Sequence, residues 1–237
     1  MFKDLFSLKG RVALVTGGSR GIGKMIAAGF LAQGAAKVYI TARKAGPCEA
    51  TAKELSAAYD GECIALPIDI STVEGCEKLA GEVIKLVMDL NVKSIFFLTK
   101  ALAKPLRAAA THERPAKVIN IASIDGIFVN PMETYSYAAS KAAVIHLTRR
   151  MATRLVKDNI NVTAIAPGAF KSDMNRAARD QADEVAKRIP ARRVGTDEDM
   201  AGVAIYLASR AGDYVVGTTI AVDGGVVYAS AGLEIAG

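Results

Sequence analysis

Short apolar segments alternate with longer amphipathic segments along most of the chain. The short segments are rich in β-branched residues and lack alternating polar positions, as expected of parallel strands that helices cover on both faces. They predict six strands, at 11–16, 37–41, 63–68, 117–122, 161–166 and 219–222. Helical periodicity predicts helices near 21–33, 47–58, 72–85, 88–109, 134–157 and 197–208. This alternation is typical of an α/β fold with a doubly wound parallel sheet.

The first predicted strand runs directly into a glycine-rich loop, Gly17-Gly18-Ser19-Arg20-Gly21-Ile22-Gly23, which opens a predicted helix. Loop N–H groups and the helix dipole together create a site for an anion. We expect the glycines at 17, 21 and 23 to allow a sharp turn, close approach to a pyrophosphate and close helix–strand packing, respectively. Because the loop follows the first strand of an alternating chain, a dinucleotide site is favoured over a purely structural turn.

The end of the second predicted strand indicates which dinucleotide binds. NAD sites usually place an acidic side chain about 20 residues beyond the glycines, where it binds the ribose 2′-OH. Here the strand is followed by Ala42-Arg43-Lys44, with no acidic residue. Arg43 and Arg20 offer donors to a 2′-phosphate, which favours NADP(H). The alternative is that Arg43 is only a solvated residue after a strand.

Three residues carry the candidate chemistry. Ser123 follows a predicted strand, at the carboxyl end where α/β sheets bind ligands. Tyr137 and Lys141 are four residues apart on the next helix, on one face and about 6 Å apart along the axis. Since a neighbouring ammonium favours the phenolate, we expect a lowered Tyr137 pKa, suited to proton transfer with a carbonyl oxygen that Ser123 also binds. Such Tyr–Lys pairs are common on helix surfaces, so the combination with the glycine loop carries the inference.

Composition narrows the function classes. The 237 residues are 51% hydrophobic, enough for a sizeable core, and the net charge is +6. Nucleic-acid binding is weakly supported, because most basic residues are scattered along the chain. Two basic clusters, at 149–154 and 187–193, would form either solvated faces or a docking site for an acidic partner. Cys48, Cys63 and Cys76 lack metal-ligand spacing, so we expect reduced thiols and no metal. Without a signal-peptide pattern or a run of ~20 apolar residues, we expect a cytoplasmic protein.

The chain resembles the short-chain dehydrogenase/reductase family, specifically its NADP-dependent, 3-oxoacyl-carrier-protein-reductase-like branch, from about Leu8 to Gly225. The motifs that carry the resemblance are Thr16 to Gly23, Asp69, Asn91, Ser123, Tyr137-x-x-x-Lys141, Pro167-Gly168 and Val222-Asp223-Gly224-Gly225. The resemblance implies a single Rossmann-type NAD(P)-binding domain over 1–237. It further implies reduction of a ketone, a 3-oxoacyl thioester above all, to a secondary alcohol in fatty acid metabolism. The helices at 88–109 and 134–157 would form the faces of a homotetramer.

The resemblance also implies roles for individual residues. Asn91, Ser123, Tyr137 and Lys141 would be catalytic, with Asn91 holding a water in a proton relay through Lys141. The implied NADP(H) contacts are Gly17, Ser19, Arg20, Gly21, Ile22, Gly23, Arg43, Asp69, Ile70, Tyr137, Lys141, Pro167, Gly168 and Ser172.

Within that set, Asp69 and Ile70 would contact the adenine, and Pro167, Gly168 and Ser172 would border the nicotinamide. The segment at about 170–193 would be a mobile flap over the substrate. Its residues Met174, Ile189 and Pro190 would either line an apolar substrate or simply pack the flap.

One part of the family pattern is absent: the fourth strand and its Asn-Asn-Ala-Gly motif. Only 21 residues separate Asp69 from Asn91, whereas the strand, motif and following loop need roughly 30. This strand is normally central, so its loss would leave buried backbone groups unpaired, at about 1–3 kcal/mol each. Because net stability is about 5–15 kcal/mol, we expect the printed sequence to omit a segment near 83–87. The alternative is a true deletion that folds poorly, or a non-catalytic NADP-binding or partner subunit.

Overall fold

The computed structural model describes residues 4–67, 88–131, 133–172 and 175–229. The strands are β1 (Val12–Thr16), β2 (Lys37–Thr41), β3 (Glu62–Leu66), β4 (Ala116–Ile121), β5 (Ile160–Pro167) and β6 (Thr219–Val222). The α-helices are α1 (Gly21–Ala32), α2 (Ala45–Ala58), α3 (Ser94–Ala109), α4 (Tyr135–Leu155), α5 (Arg176–Asp180), α6 (Ala182–Ala186) and α7 (Asp197–Ala208). These strands and helices confirm the predicted α/β alternation to within a few residues. The predicted helix at 72–85 and the end of the third predicted strand lie outside the described residues.

Within the described residues, the strands form two parallel sheets of three strands, ordered β1-β2-β3 and β4-β5-β6. The middle strand β5 is buried along all 8 residues. By contrast, β1 is an edge strand in which Val12 and Leu14 are 65% and 38% exposed, although both are apolar. In the family pattern, the fourth strand would lie between β1 and β4 and pair with the edges of both.

Packing between α1 and α7 connects the two sheets. Gly29 of α1 lies so close to α7 that a Cβ added there would be 2.6 Å from the Cβ of Ala201. Beneath this contact, Val15 of β1, Ile165 of β5 and Leu207 of α7 belong to one hydrophobic cluster. The two sheets therefore share a hydrophobic core, although no described strand of one sheet pairs with a described strand of the other.

Buried polar contacts fasten β4. The Asn120 side-chain amide donates to the Thr148 hydroxyl of α4 at 2.8 Å, and both residues are buried. At the start of the strand, the Lys117 ammonium lies 2.7 Å from the Asp213 carboxylate. Burial lowers the pKa of Lys117, and the ion pair opposes that shift. These contacts fix the strand that leads into Ser123.

Two of the three cysteines lie in the described part of the chain. Cys48 and Cys63 are buried free thiols. Burial raises the pKa of Cys63 to about 11, which keeps this thiol protonated and unreactive. Across the ranges described, no helix combines the length and the apolar character needed to cross a bilayer.

Substitution of Gly29 by alanine tests the α1–α7 contact. The new methyl group has to push the helices apart, which outweighs the better helix propensity of alanine, and we expect a net loss of about 1–2 kcal/mol in the free energy of unfolding. Gly202→Ala in α7 is the matched control, because nothing lies within 4 Å of a Cβ at that position. Chemical denaturation should show a stabilised Gly202→Ala variant and a destabilised Gly29→Ala variant; equal effects would contradict the contact.

Candidate active site

The glycine loop packs tightly on one side and is open on the other. Gly17 has a positive φ of 70°, which a glycine adopts without strain. A Cβ at Gly23 would collide with the Gly17 carbonyl, so helix and strand meet as closely as the sequence predicts. At Gly21, by contrast, the nearest neighbour of an added Cβ is the Ser172 side chain at 3.6 Å. The loop and the N-terminus of α1 therefore form an open cradle that fits a pyrophosphate.

The candidate groups for a 2′-phosphate sit beside this cradle. Arg20 directly precedes α1 and has an extended backbone, with φ −166° and ψ 170°. Arg43 lies between β2 and α2, and both arginines are exposed. The Gly18 N–H donates to the Thr41 carbonyl at 3.1 Å, which ties the loop to the end of β2. The loop that carries Arg20 is thus tied to the end of the strand that precedes Arg43.

The Ser123 side chain lies near the Tyr137 hydroxyl, close enough to act on the Tyr137 pKa. Ser123 follows β4 and is 7% exposed, and its Oγ accepts from the Asp125 N–H at 3.2 Å. The short 3₁₀ turn after it presses against α4, because a Cβ on Gly126 would lie 2.6 Å from the carbonyl carbon of Lys141. This close approach brings the serine to the tyrosine, and the two hydroxyls can then contact a single substrate oxygen.

Lys141 lies beneath the tyrosine. Its Nζ donates to the Ile121 carbonyl at 2.9 Å and is 5.6 Å from the centroid of the Tyr137 ring. Burial lowers the pKa of Lys141 to about 8, because a low-dielectric site disfavours the ammonium. The lysine therefore changes its charge close to neutral pH.

The expected lowering of the Tyr137 pKa is wrong for this structure. Burial raises that pKa above its ordinary value, and the nearby Asp125 carboxylate raises it further. The Ser123 side chain acts in the opposite direction but does not dominate. The reason is that burial, which the sequence does not show, disfavours the phenolate more than the neighbouring groups favour it.

Asn91 lies in a π-helical turn, Asp89–Lys93, that immediately precedes α3. Its side-chain amide donates to the Ser140 hydroxyl at 2.9 Å, and that hydroxyl donates to the Tyr137 carbonyl at 2.7 Å. Ser140 is fully buried. The predicted residue Asn91 is thus joined to the tyrosine through a serine that the sequence analysis missed, although its place three residues after Tyr137 puts it on nearly the same helix face.

The end of β5 brings further predicted residues to the site. β5 ends at Pro167, and the Gly168 N–H donates to the Val222 carbonyl of β6 at 2.9 Å. Ser172 accepts from the Asn175 N–H at 3.2 Å and is the residue that faces Gly21. The start of the flap segment therefore lies against the glycine loop.

Three of the remaining predicted residues lie outside the described part of the chain, whereas Ile189 lies within it. Asp69, Ile70 and Met174 lie outside the described residues. Ile189 is 4% exposed and contacts Gly224, where an added Cβ would lie 2.6 Å from its Cγ2. This contact supports the packing role for Ile189.

Comparison with known proteins shows to which families and enzymes the chain is similar. A family model described as short chain dehydrogenase matches residues 11–87, and one described as Enoyl-(Acyl carrier protein) reductase matches residues 75–227. The rhamnolipids biosynthesis 3-oxoacyl-[acyl-carrier-protein] reductase of Pseudomonas aeruginosa is 44% identical, with 93% of this chain and 97% of that protein aligned. The 2-dehydro-3-deoxy-D-gluconate 5-dehydrogenase of Dickeya dadantii is 36% identical over 95% of this chain and 98% of that protein.

A solved structure gives the same picture. The RhlG–NADP complex of Pseudomonas aeruginosa is 43% identical and superposes with a TM-score of 0.86, covering 95% of this chain and 99% of that one.

The alignment with the Pseudomonas reductase also contains positions at which this chain has no residue. It spans 252 positions but only 93% of this chain, or about 220 residues, so about 32 positions have no residue here. This number agrees with the roughly 30 residues that a strand, its motif and a following loop need.

Removal of the Lys141 charge should change how stability depends on pH. With a folded pKa of about 8 and an ordinary value of 10.5, Lys141 binds fewer protons in the folded than in the unfolded protein between these pH values. Its contribution to the free energy of unfolding therefore rises by about 2 kcal/mol from pH 7 to 9.5. We expect Lys141→Met to lose this rise, which denaturant unfolding at several pH values measures; parallel pH curves for the two proteins would contradict the buried lysine.

Proposed function

Because the chain belongs to the short-chain dehydrogenase/reductase family of oxidoreductases and binds NADP(H), we propose that it reduces a ketone to a secondary alcohol, with a 3-oxoacyl thioester as substrate. The observation that carries the proposal is the meeting of Ser123, Tyr137 and Lys141 at the end of β4: Ser123 acts on the Tyr137 pKa, and the Lys141 Nζ lies 5.6 Å from the centroid of the Tyr137 ring. Two hydroxyls that meet there provide two hydrogen bonds to one carbonyl oxygen. The substrate class is supported by the Pseudomonas reductase at 44% identity.

In the proposed reaction, bound NADPH would supply the hydride for the carbonyl carbon, and the glycine loop with Arg20 and Arg43 would hold the nucleotide. Ser123 binds and orients the carbonyl oxygen, and Tyr137 donates its phenolic proton to that oxygen as negative charge develops. The raised pKa of Tyr137 keeps this proton in place at neutral pH. Lys141, with a pKa of about 8, stabilises the phenolate that remains and takes part in returning the proton.

Asn91 acts through the backbone of the catalytic helix in this proposal. Its hydrogen bond to Ser140, which in turn holds the Tyr137 carbonyl, supports the tyrosine. The remaining side-chain oxygen of Asn91 would accept from the water of a relay to Lys141.

An acidic carrier protein fits the basic surface of α4. Arg149 and Arg150 are exposed, whereas two of the four cations of the second basic cluster form ion pairs within the chain. In that cluster, Lys187 pairs with Glu184 and Arg193 pairs with Asp199. The first cluster is therefore the better docking site for a carrier-linked substrate.

We further propose a homotetramer with α3 and α4 as its faces. Phe96 and Phe97 on α3 are 44% and 52% exposed and meet edge to face, with ring centroids 5.4 Å apart. Large exposed aromatic side chains on a helix face favour contact with a second subunit.

A second candidate function is NADP(H) binding without catalysis. It is favoured by the approximately 32 positions that this chain lacks and by the open edges of β1 and β4. A third, reduction or oxidation of a sugar acid, is favoured by the Dickeya relative at 36% identity.

Tyr137→Phe removes the proposed proton donor and leaves the ring. We expect it to lower kcat for NADPH-dependent ketone reduction by about 10²- to 10⁴-fold, while NADPH binding is retained. Tyr135→Phe is the matched control, because Tyr135 is 77% exposed and Ala139, not a lysine, follows it four residues later. An unchanged rate in Tyr137→Phe would refute the role. A parent protein that binds NADPH but reduces no ketone would favour the non-catalytic candidate.

The substrate class is tested by a panel followed through NADPH absorbance. We expect the highest kcat/KM for 3-oxoacyl thioesters and a further gain when the acyl group is on a carrier protein. Replacement of Arg149 and Arg150 by glutamate should remove only the gain from the carrier. A preference for 2-dehydro-3-deoxy-gluconate or a similar keto acid would assign the chain to the sugar-acid candidate.

A further inference from the structure

Thr51 connects α2 to the glycine loop. Its hydroxyl donates to the Ser19 carbonyl at 2.8 Å, and the residue is only 6% exposed. Nearby on α2, Glu54 binds the Lys24 ammonium of α1 through both carboxylate oxygens, at 2.7 and 2.8 Å. The helix therefore makes two polar contacts, one to the loop and one to the helix that the loop opens.

The Thr51 hydroxyl contacts the loop between two positions, Gly18 and Gly21, at which other elements already hold it. Gly18, before it, is held by the end of β2 through the Thr41 carbonyl. Gly21, after it, already belongs to α1. Ser19 and Arg20 lie between these two anchors, and the Thr51 hydroxyl holds this connecting stretch.

The same helix begins beside the other candidate cation. α2 starts at Ala45, two residues after Arg43. Through Thr51, the helix that follows Arg43 also holds the residue that precedes Arg20. One helix thus begins two residues after Arg43 and holds the backbone next to Arg20, the two residues whose guanidinium groups the 2′-phosphate would need.

We propose that Thr51 is a positioning residue that sets the preference of this protein for NADP(H) over NAD(H). It acts by holding the Ser19 carbonyl, which places Arg20 relative to Arg43. The inference rests on the proposed roles of these two arginines, but not on the reaction or the substrate. Loss of the hydroxyl should chiefly weaken the 2′-phosphate contact, because the pyrophosphate cradle at the start of α1 keeps its own anchors.

Direct binding measurements test the proposal without any turnover. Dissociation constants for NADPH and NADH are measured by nucleotide fluorescence for the parent chain and for Thr51→Val, which is nearly isosteric. We expect Thr51→Val to weaken NADPH binding by about 3- to 10-fold, the effect of one lost hydrogen bond, and NADH binding by less than about 2-fold. Thr51→Ser should restore the parent preference.

Thr99→Val is the matched control for loss of a buried hydroxyl. Thr99 is 8% exposed, and its hydroxyl donates to the Ile95 carbonyl within α3, also at 2.8 Å. This variant should leave the NADPH-to-NADH ratio unchanged.

Two results would overturn the proposal: equal weakening of both nucleotides in Thr51→Val, or no change in either. Thermal melting of each variant identifies loss of fold. If Thr51→Val does not fold, Thr51→Ala is measured in its place, with the same expected change in the ratio. If no ketone is reduced by any variant but the ratio shifts as expected, the catalytic proposal fails and the role of Thr51 stands.

Discussion

The packing of α1 against α7 is the contact on which the geometry of the site depends. The glycine loop follows β1 of the first sheet. Ser123 follows β4 of the second sheet, and Tyr137 lies on α4, which packs against that sheet. Within the described residues, no ladder hydrogen bonds join these sheets, and the close approach at Gly29 together with a common apolar cluster holds them in register. The distance between the glycine loop and the candidate residues Ser123 and Tyr137 is therefore set by van der Waals packing, which tolerates little added volume.

Within the part of the chain that the structure describes, β1 and β4 each have one edge without a strand partner, which explains why so much depends on that packing. In the relatives, about 32 more positions are present, enough for a strand and its connections. A strand between β1 and β4 would satisfy backbone groups on both sides and would cover Val12 and Leu14. Along the sequence, the glycine loop comes before this region, and the candidate residues Ser123, Tyr137 and Lys141 come after it.

Burial also determines the direction of the pKa shifts of Tyr137 and Lys141 on α4. The turn at Gly126 presses Ser123 towards Tyr137, and the same closeness removes water from the tyrosine and from Lys141. Burial therefore raises the pKa of Tyr137 and lowers that of Lys141 to about 8, since a low dielectric penalises phenolate and ammonium alike. A buried chain of hydrogen bonds through Ser140 to Asn91 fixes the helix on which they stand.

The sequence by itself determined the order of strands and helices and the glycine cradle, because apolar periodicity and glycine spacing are local properties. It also identified Ser123, Tyr137 and Lys141, since their spacing follows from a strand end and one helical turn. Thr51 and Ser140 were not found, because their hydroxyls contact the Ser19 carbonyl and Asn91 from distant parts of the chain. The direction of the Tyr137 pKa shift was decided only by tertiary structure, because desolvation depends on everything packed around the ring.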